Sequence, residues 1–189
     1  TRRLWGKSNM YEESAAIPMI LSGPGVAAGK VVNTPVTLAD GSATILEAVG
    51  LGKETINDGR ALQEIANEPD DMNRVAFSEY HANGADTASF MIRKGNFKYI
   101  YYVDYEPELF DQENDPEEES NLATNPTYAS TLADFHAELI KRIDPEAVNA
   151  EAQASQAALV KAAGGREVVL NKGSFQGTPA PGEKAEYIQ

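Results

Sequence analysis

Between Val75 and Asp111 three aromatic and aliphatic runs alternate with short polar breaks, and few folds accommodate that pattern. Val75-Ala76-Phe77-Ser78-Glu79-Tyr80, Ser89-Phe90-Met91-Ile92-Arg93 and Phe97-Lys98-Tyr99-Ile100-Tyr101-Tyr102-Val103 are rich in residues that pack on a pleated surface. Lys94-Gly95-Asn96 joins the last two with room only for a hairpin turn. Glu108-Leu109-Phe110-Asp111 supplies a fourth, shorter strand, so the segment predicts an antiparallel meander.

Such a sheet needs a cover. Thr124-Asn125-Pro126 supplies an N-cap and a proline suited to the first helical position. Tyr128, Leu132, Phe135, Leu139 and Ile143 then recur as one apolar stripe, which predicts a long helix lying on the sheet. Asp144-Pro145 opens a second, alanine-rich helix that ends before Gly164-Gly165. Beyond Gly173 the chain is rich in glycine and proline and carries Phe175, Tyr187 and Ile188 without a core of its own, as a disordered tail or an arm laid on a neighbouring chain would. Upstream, Ile17-Pro18-Met19-Ile20-Leu21 before Ser22-Gly23-Pro24-Gly25 predicts a buried strand and turn. Leu38 to Val49 predicts a helix closed by Gly50, and a short helix follows around Ala61–Ala66.

Charge limits the partners. Sixteen basic and 29 acidic residues give −13, which disfavours nucleic acid and anionic membrane. Nine carboxylates lie between Asp104 and Glu119, while Arg2, Arg3 and Lys7, and then Arg93, Lys94 and Lys98, gather the basic charge. That distribution predicts a local basic pocket for a small anionic substrate. The longest apolar run falls far short of the ~20 residues a spanning helix needs. With no cysteine there is no thiolate ligand, nucleophile or disulfide in the chain. Gly23-Pro24-Gly25 with Gly29 is spaced one residue too long for a dinucleotide loop and no helix follows it, so it is a turn. The opening Thr1-Arg2-Arg3-Leu4-Trp5 lacks an initiator Met and an apolar leader, which suggests a start internal to something longer.

Two histidines are the only imidazoles. His136 falls within the amphipathic helix and reads as a packed or surface residue; His81 ends a strand beside a glycine loop and reads as a structural residue or as one lining a site, since sites are often built there. Neither has partners spaced as metal ligands or as a Ser-His-Asp set.

Gly6-Lys7-Ser8-Asn9-Met10-Tyr11-Glu12-Glu13, running to Pro18 and Met19, resembles the G-K-x-x-x-Y/F-E-G-x-x-x-x-P motif of the type I sulfatases of the alkaline phosphatase-like superfamily, with Glu13 where glycine is usual. The resemblance continues in order through Leu21-Ser22-Gly23-Pro24-Gly25, Thr37-Leu38-Ala39-Asp40 with Ala43-Thr44-Ile45-Leu46, Arg93-Lys94-Gly95-Asn96-Phe97-Lys98-Tyr99-Ile100 and Glu108-Leu109-Phe110-Asp111 with Asp115-Pro116, Glu118 and Asn121-Leu122-Ala123. Ser78-Glu79-Tyr80-His81 and the tail from Gly164 to Gly182 look most like the branch of choline sulfatases and phosphonate monoester hydrolases.

The resemblance implies an α/β fold: the C-terminal portion of an alkaline phosphatase-like sulfatase, with a small antiparallel sheet packed on a long helix and a C-terminal extension. Residues 1–70 would end the catalytic α/β domain, 71–143 would form the sheet and helix, and 144–189 a helical extension and oligomerisation arm. It implies hydrolysis of a small sulfate ester to alcohol and sulfate, with Lys7 catalytic at the leaving oxygen and Glu79 and His81 binding substrate. A divalent cation, calcium or manganese, and a formylglycine nucleophile would lie in an N-terminal part outside this chain, which has neither the C/S-x-P-x-R motif nor the paired Asp ligands and would be inactive alone. Partners would be the ester and further copies of the chain, as a dimer or tetramer through the arm, with no nucleic acid and no membrane. Phosphonate monoester or phosphodiester hydrolysis, and a non-catalytic oligomerisation module, remain open.

Overall fold

The computed structural model describes residues 8–51, 58–82, 84–175, 182 and 187–188. Arg2, Arg3, Lys7 and most of the tail beyond Phe175 lie outside the described residues. The chain divides into two compact units, residues 1–145 and 146–189.

In the first unit a single turn, α1 (Glu12–Ala15), precedes α2 (Leu38–Ala48) and α3 (Leu62–Asn67). Thr37 and Asp40 form a capping box at the start of α2. At its end the Leu51 and Gly50 amides close back on the Leu46 and Glu47 carbonyls, as the sequence predicts for a glycine stop. Asp40 is wholly buried and accepts from the Thr37 amide at 2.7 Å, the Arg60 amide at 2.8 Å and the Arg74 guanidinium at 2.6 Å. Gly59 lies against this turn so closely that a Cβ would stand 2.1 Å from the Ala39 carbonyl oxygen.

The meander follows. Strands β1 (Ala76–Tyr80), β2 (Ser89–Lys94), β3 (Phe97–Tyr102) and β4 (Glu108–Asp111) pair antiparallel in that order. Gly95, at φ +54°, makes the tight β2–β3 turn that a residue with a Cβ resists. Register assigns each side chain to a face. One face carries Phe77, Phe90, Ile92, Phe97, Tyr99 and Tyr101, and α4 (Ala129–Arg142) covers it. Phe135 packs edge-on to Phe97 and tilted against Tyr99, and Leu139 is wholly buried. Full burial of such a side chain contributes about 2 kcal/mol. Asn125 caps the turn Pro126–Tyr128 that leads into α4 by accepting from the Thr127 amide. The other face carries Met91, Lys98, Ile100, Tyr102, Glu108 and Phe110, and Met10, Tyr11 and Ala15 pack onto it. Central strand β2 is therefore buried on both faces along Ser89–Ile92.

The predicted strand at 17–22 is absent. Among the described residues no strand runs beside it to take up its backbone groups, and Ile17 and Ile20 are 44% and 89% exposed. The second unit holds most of α5 (Pro145–Ala162), then α6 (Arg166–Lys172), which the sequence pattern did not predict, and a short antiparallel pair, β5 (Ser174–Phe175) with β6 (Tyr187–Ile188).

Candidate active site

Three consecutive residues fasten the N-terminal segment to the sheet by three different means. Met10 is buried in a cluster with Met91, Ile100 and Phe110. The Tyr11 hydroxyl lies 2.8 and 2.9 Å from the two carboxylate oxygens of Glu108, which also accepts from Tyr102 at 2.9 Å. Burial, and then the Glu108 charge, push the Tyr102 hydroxyl well above its ordinary pKa, so it stays a donor. Glu12 reaches Lys98 Nζ at 2.9 Å, and its own amide donates to Glu118 Oε2 at 2.9 Å.

Lys98 and Glu118 have side chains with no exposure, 2.8 Å apart, and Gln112 donates to Glu118 at 2.6 Å. Glu118 sits at φ +54° in the turn after Asp115-Pro116, a backbone state that costs about 1 kcal/mol or more in a residue with a Cβ and persists where the surroundings enforce it. Burial lowers the pKa of the nearby Arg93, opposed by the charges of Glu12, Glu118 and Asp111. The Arg93 guanidinium donates to the carbonyls of Gly95 and Phe97.

Lys98 is spent inside the fold, its buried ammonium closed to an outside anion, while Arg93 and Lys94 are half-buried. Arg2, Arg3 and Lys7, the other part of the expected basic pocket, lie outside the described residues.

An open cavity of about 700 Å³ lies at this end of the sheet, lined by Ser8, Tyr11, Tyr102 and Tyr105 together with Asp86, Glu106 and Glu108. Among the described residues no lysine or arginine lines it. The Tyr105 hydroxyl donates to Asp86 at 2.6 Å, and that bond raises the tyrosine pKa. Among the described residues no group of three or more His, Asp or Glu side chains is arranged to hold a metal ion. No helix there is long and apolar enough to cross a membrane.

Lys7 lies outside the described residues; Ser8, which follows it, lines the cavity. Glu79 and His81 come together, His81 Nε2 standing 3.7 Å from Glu79 Oε2. Neither lines the cavity. Glu79 shares a sheet face with Phe90 by register, and the His81 ring packs edge-on to Phe90, so both occupy the α4 side. Met10 and Tyr11, which follow Lys7 in the chain, pack on the opposite face. His136 is a surface residue, as expected, at 3.0 Å from the Tyr99 hydroxyl. The cavity tyrosines and the Lys98–Glu118 pair were missed as site residues, although the aromatic run and the Asp115-Pro116…Glu118 stretch that carry them were visible.

A family model described as N-sulphoglucosamine sulphohydrolase, C-terminal, matches residues 1–144. A choline-sulfatase of Rhizobium meliloti (strain 1021) is 35% identical over 162 residues, covering 82% of this chain and 31% of the relative. Mouse (Mus musculus) arylsulfatase K is 34% identical over 134 residues, covering 65% and 24%. The solved phosphonate monoester hydrolase of Silicibacter pomeroyi superposes with a TM-score of 0.61 at 28% identity, covering 72% of this chain and 30% of that one. A structure in complex with its substrate D-glucosamine-2-N,6-O-disulfate superposes at 0.60 and 25% identity, covering 72% and 31%. The chain spans less than a third of the length of these relatives. Matched along residues 1–144 and built as its solved relatives are, the chain belongs to the sulfatase family and carries that family's C-terminal domain.

Proposed function

We propose that this chain completes one wall of the active site of a sulfate monoester hydrolase, with Lys7 as the catalytic cation at the leaving oxygen. The observation that carries the reading is the fastening of Met10, Tyr11 and Glu12 beside a cavity that Ser8 lines. A sulfuryl group in transfer develops charge on the departing oxygen, and a fixed ammonium there acts in the transition state rather than in ground-state binding. By family resemblance a formylglycine nucleophile and a divalent cation, calcium or manganese, lie in the part of the protein outside this chain; they supply the attacking oxygen and polarise the ester.

The cavity is the place for the alcohol half. Its aromatic and acidic lining favours a neutral or cationic alcohol and repels one bearing further sulfates. The test uses the full-length protein with formylglycine installed. Lys7→Ala should lower kcat by ~10²-fold or more, and an ester of a quaternary ammonium alcohol should outpace a polysulfated sugar. A Lys7→Ala enzyme at the parent rate would overturn the catalytic assignment. Turnover of a phosphonate monoester faster than of any sulfate ester would favour the second reading, which the likeness to the Silicibacter pomeroyi hydrolase supports.

The 146–189 unit is read as an oligomerisation arm. Leu159, Val168 and Leu170 are exposed there, at 69%, 51% and 66%. Light scattering of the full-length protein with and without residues 146–189 should give fewer protomers per particle after the deletion; an equal number would remove this role.

A further inference from the structure

Lys98 has its whole side chain excluded from water, and every part of its setting converges on the segment that follows Lys7. Its ammonium stands 2.9 Å from Glu12 Oε1 and 2.8 Å from Glu118 Oε1. The second oxygen of Glu118 accepts the Glu12 amide, so Glu12 is gripped by both its side chain and its backbone. Glu118 is in turn held by Gln112 and by a left-handed backbone turn.

A buried ion cluster contributes no more stability than apolar residues of the same volume. What the charges add here is geometry: three oxygens and two nitrogens satisfied by one placement of residue 12. From Met10 back to Lys7 the tether is three residues, at most about 11 Å of chain.

We propose that Lys98, together with Glu118, is a positioning residue of the hydrolytic site: by locking Glu12 onto the sheet it sets where the Lys7 segment enters the active site. This rests on the reading of Lys7 as the catalytic cation. Lys98 touches no substrate; it acts through Glu12 and through the chain between Glu12 and Lys7.

A positioning role differs from a merely structural one in what it couples to. If the cluster works only by placing Lys7, its loss should cost turnover in the parent and nothing further once the ammonium of residue 7 is gone. Lys98→Met would leave two carboxylates facing each other in a dry site and endanger folding. Glu12→Gln is therefore the chosen variant, since Glu12 is one-third exposed and Gln keeps its shape.

In the full-length protein, Glu12→Gln, Lys7→Ala and the double variant are compared for kcat, KM and melting temperature. Glu12→Gln should lower kcat roughly tenfold with KM within about twofold, the scale of a displacement of under an ångström at a catalytic group. The double variant should be no slower than Lys7→Ala alone. Parent kcat in Glu12→Gln, or a double variant slowed by the product of the two single effects, would overturn the positioning role while leaving Lys7 catalytic. A Lys7→Ala enzyme at the parent rate would overturn both readings.

Discussion

At the scale of single residues, Asp40 carries the largest expected cost. Its buried carboxylate accepts from two backbone amides and the Arg74 guanidinium, and Asp40→Ala would strip all three of their acceptor. Loss of about 3 kcal/mol is expected, in line with breaking other buried pairs, and urea unfolding of parent and variant checks it. Two tyrosines set an alkaline limit. Burial pushes the hydroxyls of Tyr99 and Tyr102 above their ordinary value of 10.0, with Tyr101 and Glu108 adding to the respective shifts. Their folded-state pKa values lie above the unfolded ones, so the stability they contribute is complete below pH 10 and is lost as pH rises beyond it. Chemical denaturation between pH 8 and 11 should show this decline, and Tyr102→Phe should flatten it. A decline of equal steepness in the variant would exclude Tyr102 as a source. Lys98 shows why some residues resist reading in sequence. A lysine among Arg93 and Lys94 reads as surface charge, and only Glu12, 86 residues away, and Glu118 make its burial tolerable.

At the scale of elements, α4 separates its two faces cleanly. Leu139 is wholly buried and Ile140, its neighbour, is 48% exposed. Leu139→Ala should cost about 2–5 kcal/mol and Ile140→Ala less than about 0.5; similar losses at both positions would mean that α4 does not lie as described. The meander, α2 and α4 were legible because each carries its own period, cap or turn: Gly95, Gly50, and Asn125 with Pro126. The 17–22 run was not, because apolar content does not say whether a partner strand is present, and Ile20 stands 89% exposed without one. The helix α6 went unread because its seven residues follow Gly165 with no side-chain cap. The cavity wall was half legible. Tyr102 and Glu108 lie in runs that read as strands, but which face they share depends on register, and register puts Glu79 on the opposite face, where the His81 ring meets Phe90.

At the scale of the whole molecule, the acidic surplus and the cavity lining act in the same direction. On the proposed reading of the cavity as the seat of the alcohol, a chain at −13 with Asp86, Glu106 and Glu108 around it should lose discrimination against polyanionic esters as salt screens those charges. Raising ionic strength from ~0.05 to ~0.5 M should thus lower the KM for a polysulfated substrate more than for a neutral one; equal changes would sink this electrostatic reading. The contact between the Glu12 amide and Glu118 spans 106 residues. On a ribosome, at about 5–20 residues per second, the lysine-bearing segment is therefore made on the order of 5–20 seconds before its seat exists. Until then a chaperone or a protease finds it as a loose peptide, and a transcript cut short before the codon for Glu118 yields a polypeptide in which that grip is never completed.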